Sequence, residues 1–297
     1  MFNKTVIPLL FMMLLGLSVK TNAQDGIARI KQIEDSMLLL ADSMYHAPIP
    51  DDRADYTERF VKYLVQALKQ PNSWNYDFPK IKEQINIIYP EDKSFRIFNW
   101  AIAPTDVTRR YYGAIQMPGE TLKLFPLFDH SDQLKKCAED TILTNGKWYG
   151  GLIYRIMPQT VDGETIYTLF SLNASKAISN IKILDPMIVT DKGVTFGAPI
   201  FEYNSECRPG QRVNRFILEY KKEVQVSMNW DKEHNAIYFD KLVSQMNDPN
   251  RKYTFVPSGQ YDGFRWSGDH WSYVENLIPL DIREDGQAPD SKKEGGW

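Results

Sequence analysis

Two cysteines, four histidines and no apolar run of membrane-spanning length set the first limits on this 297-residue chain. So few sulfur and imidazole groups, widely spaced, exclude a clustered zinc or iron–sulfur ligand set. The longest apolar run, Val6 to Val19, is about fourteen residues, and a spanning helix needs roughly twenty. Signature motifs are missing too: no G-x-S-x-G elbow, H-E-x-x-H helix, phosphate loop or EF-hand loop occurs. Basic residues are outnumbered, with 35 Lys and Arg against 38 Asp and Glu and a net charge of −3. No basic stripe interrupts that balance, so nucleic acid is not an expected partner.

What is present begins at the N-terminus. Lys4 precedes the apolar run, and Thr21, Asn22 and Ala23 follow it. Charge, apolar stretch and small-residue exit are the layout of a secretory signal peptide. Met1 to Ala23 is therefore expected to be removed, leaving Gln24 first and the net charge at −5 once Lys4 and Lys20 are lost. A periplasmic or secreted location follows, with no transmembrane segment in the mature chain. In that oxidising setting Cys137 and Cys207 are open to two readings, one disulfide or two separate buried thiols.

Residues 24–89 read as a helical region. Ile27, Ile30, Ile33, Met37, Leu40, Ala41 and Met44 recur at three- and four-residue steps, predicting a helix over Gly26 to Tyr45. Pro48 and Pro50 break it. A second helix, with Asp51 or Asp52 as N-cap, carries Tyr56, Phe60, Tyr63, Leu64, Ala67 and Leu68 on one face. A short helix is expected around Pro79 to Ile85.

Residues 90–282 change period. Phe95 to Ile102, Arg110 to Met117, Trp148 to Met157, Ile166 to Leu172, Ile178 to Leu184, Val194 to Tyr203, Arg215 to Tyr220, Val224 to Trp230, Ala236 to Asp240, Tyr261 to Trp266 and His270 to Val274 read as strands. Asp162-Gly163 is expected to turn a hairpin, and Trp230 to Asn235 to form a hairpin tip. Short connections favour antiparallel pairing. The predicted class is α+β: two N-terminal helices, then a mainly antiparallel β-meander closed as a sandwich, open barrel or propeller-like array. Residues 283–297 read as a polar tail.

Chemistry has few anchors. Asp129-His130 and Asp269-His270 are adjacent acid–imidazole pairs, but neighbours on a strand face opposite ways. Asp231, Glu233, Asp262 and Asp269 are candidate carboxylates with no spacing that pairs them. His46 and His234 lie in turns. The aromatic-rich stretch Tyr261, Asp262, Arg265, Trp266, Asp269, His270 and Trp271 combines rings, charges and turn glycines, and is the expected ligand-binding loop. No cofactor or metal is expected.

FRIFNW (Phe95 to Trp100), WYGGLIYRI (Trp148 to Ile156), FGAPIF (Phe196 to Phe201), RFILEY (Arg215 to Tyr220) and IYFDKL (Ile237 to Leu242) resemble segments of a family of exported β-rich proteins of Bacteroidetes-type bacteria. The resemblance spans roughly Pro90 to Trp271 and implies location and fold; no activity comes with it. The expected function is a non-enzymatic binding or envelope-accessory role toward a small molecule, glycan or envelope protein. The alternative is an exported hydrolase with a loop-assembled Asp/Glu/His site.

Overall fold

A computed structural model describes residues 7–105, 108–134 and 137–278, with side chains from Asp25 onward. The expected tail, 283–297, and the first six residues of the expected leader lie outside the described residues. The chain is α+β, with two helices ahead of mostly antiparallel sheets and no closed barrel among the described residues.

Helix α1 (Ile7–His46) is longer than its mature-chain pattern predicts, running unbroken through Ala23. Helix α2 (Pro50–Leu68) starts at Pro50, with Ile49 as an extended N-cap that makes no side-chain cap bond. Neither Asp51 nor Asp52 is the cap; both lie in the first turn, where their charges face the helix dipole. Proline suits a first helical position because its missing N–H has no partner there anyway. The expected helix near Pro79 shortens to a 3-10 turn at Ile81–Glu83.

The strands form three sheets. The first has the order β1 (Asn86–Ile88), β2 (Arg96–Ile102), β3 (Arg110–Gln116), β4 (Leu124–Phe128), all antiparallel. β1 precedes residue 90, so strand structure starts inside the region expected to be helical. β4 contains Pro126, which reads as a breaker in sequence but is tolerated on an edge strand.

The second sheet has the order β5 (Leu143–Thr144), β9 (Gly193–Phe196), β8 (Ser179–Thr190), β7 (Glu164–Asn173), β6 (Leu152–Val161). Asp162 and Gly163, at φ of 51° and 83°, close the β6–β7 hairpin as the sequence predicts. β11 (Phe216–Lys221) pairs the first half of β8 and β9 the second half. The handover falls at Asp185-Pro186, where proline's missing N–H leaves no ladder bond unmade.

The third sheet has the order β10 (Phe201–Glu202), β15 (Trp271–Ile278), β14 (Phe255–Trp266), β13 (Ala236–Ser244), β12 (Met228–Asp231). β10 and β15 pair in parallel. The single strand expected over Val194 to Tyr203 is split into β9 and β10. Gly197 (φ 101°) and Pro199 turn the chain from the second sheet to the third.

Three apolar clusters stack these units into four layers. Ile33, Met37, Phe60 and Leu64 of the helices pack on Phe98, Trp100 and Ile102 of β2. The opposite face of that sheet (Ile97, Tyr111, Ile115, Leu127) meets Ile153, Tyr167, Leu169, Ile183 and Met187 of the second. The second sheet's far face (Ile166, Phe170, Leu184) meets Ile237, Phe239, Phe264 and Trp271 of the third. The period-2 alternation of β2 and β7 is thus used on both faces, and the helical region shares a core with the first sheet.

Two buried arginines hold the layers. Arg96, fully buried, donates to Gln116 Oε1, the Tyr76 and Ser73 carbonyls and the Tyr89 hydroxyl, with its guanidinium over Trp74, Phe78 and Phe98. Arg215, equally buried, pairs with Asp185 at 2.9 Å and donates to the carbonyls of Ala138, Thr141 and Phe196, stitching the β8 handover. Cys137 and Cys207 form a disulfide, Cα atoms 5.2 Å apart, and no free cysteine remains among the described residues. A loop of this length gains roughly 4 kcal/mol in the chain-entropy picture.

Candidate functional site

The core between the first two sheets opens at both ends. One end lies at the start of β2, the end of β3, the β6–β7 turn and the end of β8. Its cleft, about 320 Å³, is lined by Ser94, Phe95, Met117, Glu164, Thr165, Tyr167, Ile188, Val189 and Thr190. Here Tyr167 donates to Asp92 Oδ2 at 2.9 Å and lies 2.8 Å from Ser94 Oγ. The hydroxyl is fully used by its own chain.

The other end gathers the start of β3, the exits of β4 and β7, the approach to β6 and the start of β8. Its cleft is larger, about 430 Å³, and is lined by Pro104, Thr108, Arg109, Arg110, Asp129, Ser131, Asp132, Leu134, Tyr149, Asn173, Ser175, Lys176 and Ile181. That volume falls in the range of small-molecule sites. Tyr149 is 7% exposed, yet its hydroxyl makes no hydrogen bond among the described residues. Burial, then the nearby carboxylates of Glu219, Asp185 and Asp129, push its pKa above the ordinary phenol range, with Arg215 opposing. The group therefore stays protonated and keeps its O–H as a donor.

The walls of this cleft are fixed by hydrogen bonds. Asp129 accepts the Tyr111 N–H on Oδ2 (3.0 Å) and the Ser131 N–H on Oδ1 (2.9 Å). Its carboxylate sits so close to Gly150 that a Cβ there would lie 2.3 Å from Cγ, so only glycine fits. Asn173 donates to the Gly150 carbonyl and accepts from the Ser175 N–H and hydroxyl. Tyr111 accepts the Ala174 N–H, and burial pushes its pKa up to about 12. Lys222 donates to the Ala174 and Lys176 carbonyls at 2.8 and 2.9 Å. Burial and the neighbouring Arg109 charge depress its pKa.

Charge at the mouth is positive. Lys176 is paired with Glu219 at 2.9 Å. Arg110 is exposed and has no ion pair or side-chain hydrogen bond among the described residues. This cleft can hold a small polar molecule against a rigid wall, with Tyr149 and Arg110 among its lining residues. Asp129 is spent on backbone N–H groups, and Asp132 is exposed.

The binding loop expected from sequence is the β14–β15 hairpin, and it lines neither cleft. Trp271 is 1% exposed and belongs to the third core. Trp266 packs on it edge-to-face, centroids 5.0 Å apart. Asp262 is buried, accepting from the Tyr273 hydroxyl and the Asn276 N–H. Tyr261 lies edge-on to Tyr238 at 5.7 Å, and Arg265 is exposed.

Asp269 and His270 do meet directly, with Nδ1 to Oδ1 at 2.5 Å. His270 Nε2 lies 2.9 Å from both Ser272 Oγ and Glu202 Oε2. Asp269 also pairs with Arg212 at 2.8 Å, and the His270 contact, then Arg212, hold its pKa down at about 2. The order acid–imidazole–hydroxyl matches a nucleophilic triad. Glu202, however, occupies the same nitrogen that would take the serine proton. The network ties β10 to the hairpin.

The remaining acidic and histidine candidates have their own local partners. His130 N–H donates to the Trp148 carbonyl, and its Nδ1 lies 3.3 Å from the Phe128 carbonyl. Asp231 accepts from His234 at 2.7 Å and from the Glu233 N–H at the expected hairpin tip. His46 sits on Asp42, one turn away on α1. No cluster of three His, Cys, Asp or Glu suited to a metal occurs among the described residues. No described helix is long and apolar enough to cross a membrane.

Sequence reasoning missed Tyr149, Arg110, Asn173 and Lys176. The one usable signal was Gly150-Gly151 at the head of a strand-like run, since paired glycines mark close backbone approach. Fold and cleft together define an α+β protein of four stacked layers with a polar, cation-rimmed cleft at one end of an inter-sheet core. No protein-family model, curated protein or solved structure matches the chain.

Proposed function

We propose that this chain is an exported, non-enzymatic binding protein whose ligand occupies the cleft floored by Tyr149. One observation carries the reading: Tyr149, a residue only 7% exposed, lines a cleft of about 430 Å³, and its hydroxyl has no partner among the described residues. The fold satisfies Tyr167 at the opposite end but leaves the Tyr149 hydroxyl to bond a guest in place of water. The rigid wall of Asp129, Asn173 and Tyr111 supports binding, because a preorganised site loses little entropy on filling. Export rests on the N-terminal layout of Lys4, Val6 to Val19 and Ala23, and the Cys137–Cys207 disulfide is compatible with it.

Two measurements test the proposal. N-terminal sequencing of the protein recovered from the producing cell's periplasm or medium should begin at Gln24; recovery from the cytosol with Met1 attached would overturn export. A thermal-shift screen of polar metabolites and sugars should yield ligands that stabilise the wild type and lose their effect in Tyr149→Phe. Ligands that stabilise both proteins equally would move the site elsewhere.

A further inference from the structure

Far from either cleft, the β14–β15 turn, Ser267 to His270, is gripped from one side by two charges. Val213 and Phe201 exchange backbone hydrogen bonds, and the residue beside each reaches onto the turn. Arg212 pairs with Asp269 at 2.8 Å, and Glu202 lies 2.9 Å from His270 Nε2. His270 Nδ1 is 2.5 Å from Asp269 Oδ1, so the ring has a carboxylate at each nitrogen. Its side chain is 13% exposed, against 52% for Asp269 and 59% for Glu202. On the neighbouring strand Arg265, exposed, stands opposite Ser272 in the register.

Imidazole is the side chain whose ordinary charge change falls between about pH 5 and 8, and its two forms hold different partners here. The imidazolium donates from both nitrogens and satisfies both carboxylates. The neutral ring donates from one nitrogen only, so one carboxylate then faces a lone pair. Ser272 Oγ, 2.9 Å from Nε2, can give that nitrogen a hydroxyl proton. Nothing comparable is offered to Nδ1 among the described residues. The neutral ring therefore keeps Nδ1–H on Asp269 and turns Nε2 to Ser272, leaving Glu202 unbound. Asp269 stays charged throughout, because the His270 contact, then Arg212, hold its pKa at about 2.

We propose that His270 is a proton-operated clasp between β10 and the hairpin turn. Protonated, it locks Glu202 to the turn. Neutral, it passes to Ser272 and frees Glu202, and the seam between β10 and β15 loosens. That seam is short: Phe201 and Glu202 pair with Trp271 and Ser272, and the Trp271 N–H donates to the Ile200 carbonyl. A side-chain bond at its end is therefore a large share of what closes it. The sign follows from linkage. A contact made only by the protonated fold stabilises on the acid side and is lost as pH rises through the imidazole range.

Hydrogen exchange of the Trp271 N–H, corrected for its intrinsic base-catalysed rate, reads the seam, and nitrogen NMR of the His270 ring reads the clasp. Between about pH 5.5 and 8 the wild-type protection should fall about threefold, the size of a contact between half-exposed partners. His270→Gln should flatten that dependence, which separates it from His46, His130 and His234. Glu202→Gln should flatten it too, because an amide donates to the neutral ring and accepts from the charged one. Ser272→Ala should steepen it, since the neutral ring loses its substitute partner. In the wild type at pH 8 the ring should carry its proton on Nδ1. A wild-type slope retained in His270→Gln or Glu202→Gln would overturn the clasp. So would a neutral ring protonated on Nε2, a result that needs no variant to fold.

Discussion

Tyr167 and Tyr149 sit at opposite ends of one inter-sheet core and meet opposite fates. Tyr167 is tied to Asp92 and Ser94 by its own chain, whereas Tyr149, equally buried as a residue, has no hydroxyl partner among the described residues. The same two sheets build both ends, so the contrast comes from the loops. At the Tyr167 end the segment before β2 brings a carboxylate and a hydroxyl into reach. At the Tyr149 end, Asp129 and Asn173 are consumed in bracing the backbone around Gly150. Both ends are open clefts, but only at one is the tyrosine hydroxyl answered by its own chain.

The largest way to disturb that contrast is through the buried Arg215–Asp185 ion pair, whose charges both reach Tyr149. Asp185→Ala leaves Arg215 charged and buried without its counter-ion, which should cost about 3–5 kcal/mol in urea unfolding. A loss below about 1 kcal/mol would mean that Arg215 is satisfied by its three carbonyls alone. Next comes Gly150→Ala, whose Cβ would collide with Asp129. It should destabilise by about 1–3 kcal/mol and weaken any ligand of the open cleft. An equal loss of stability with unchanged binding would detach the wall from the site. At the Tyr167 end, Ser94→Ala removes one contact to Tyr167 and should cost about 0.5–1.5 kcal/mol without touching binding in the Tyr149 cleft.

Protonation sharpens the comparison least but with opposite signs. Burial would raise the Asp92 pKa, but hydrogen bonds from the Ser94 N–H and hydroxyl and from Tyr167 outweigh it and hold it below the ordinary value. A depressed folded pKa gives stability that is present above about pH 3.9 and lost as pH falls through the folded value. Asp92→Asn should flatten part of the acid limb. The raised Tyr149 pKa acts the other way, with stability lost as pH climbs above about 10. Tyr149→Phe should soften the alkaline limb, and unchanged limbs in both variants would remove electrostatics from the contrast.

Much of the layering was legible beforehand. Alternation in Phe95 to Ile102 and Ile166 to Leu172 named β2 and β7, and the three-and-four spacing of Ile30, Ile33, Met37 and Leu40 named the buried face of α1. What escaped was the work of prolines. Pro126 hid an edge strand and Pro186 a strand handover, because a missing N–H reads as a break unless the pairing partner is known. The site was less visible still. Trp266 and Trp271 attracted attention as aromatics, but a strand rich in rings is packed as readily as it is displayed, and Trp271 is core. Tyr149 looked like another strand residue, since whether a hydroxyl is answered depends on side chains arriving from five separate segments.

Paired urea unfolding of Tyr149→Phe and Tyr167→Phe, without ligand, tests most directly whether one hydroxyl is answered within the protein and the other left for a guest. Tyr167→Phe should lose about 1–2 kcal/mol, as two contacts of a half-buried network disappear. Tyr149→Phe should lose little or nothing, since no bond to the described residues is broken. Equal losses in the two variants would show that Tyr149 is already satisfied within the protein, and the open cleft would have no donor waiting.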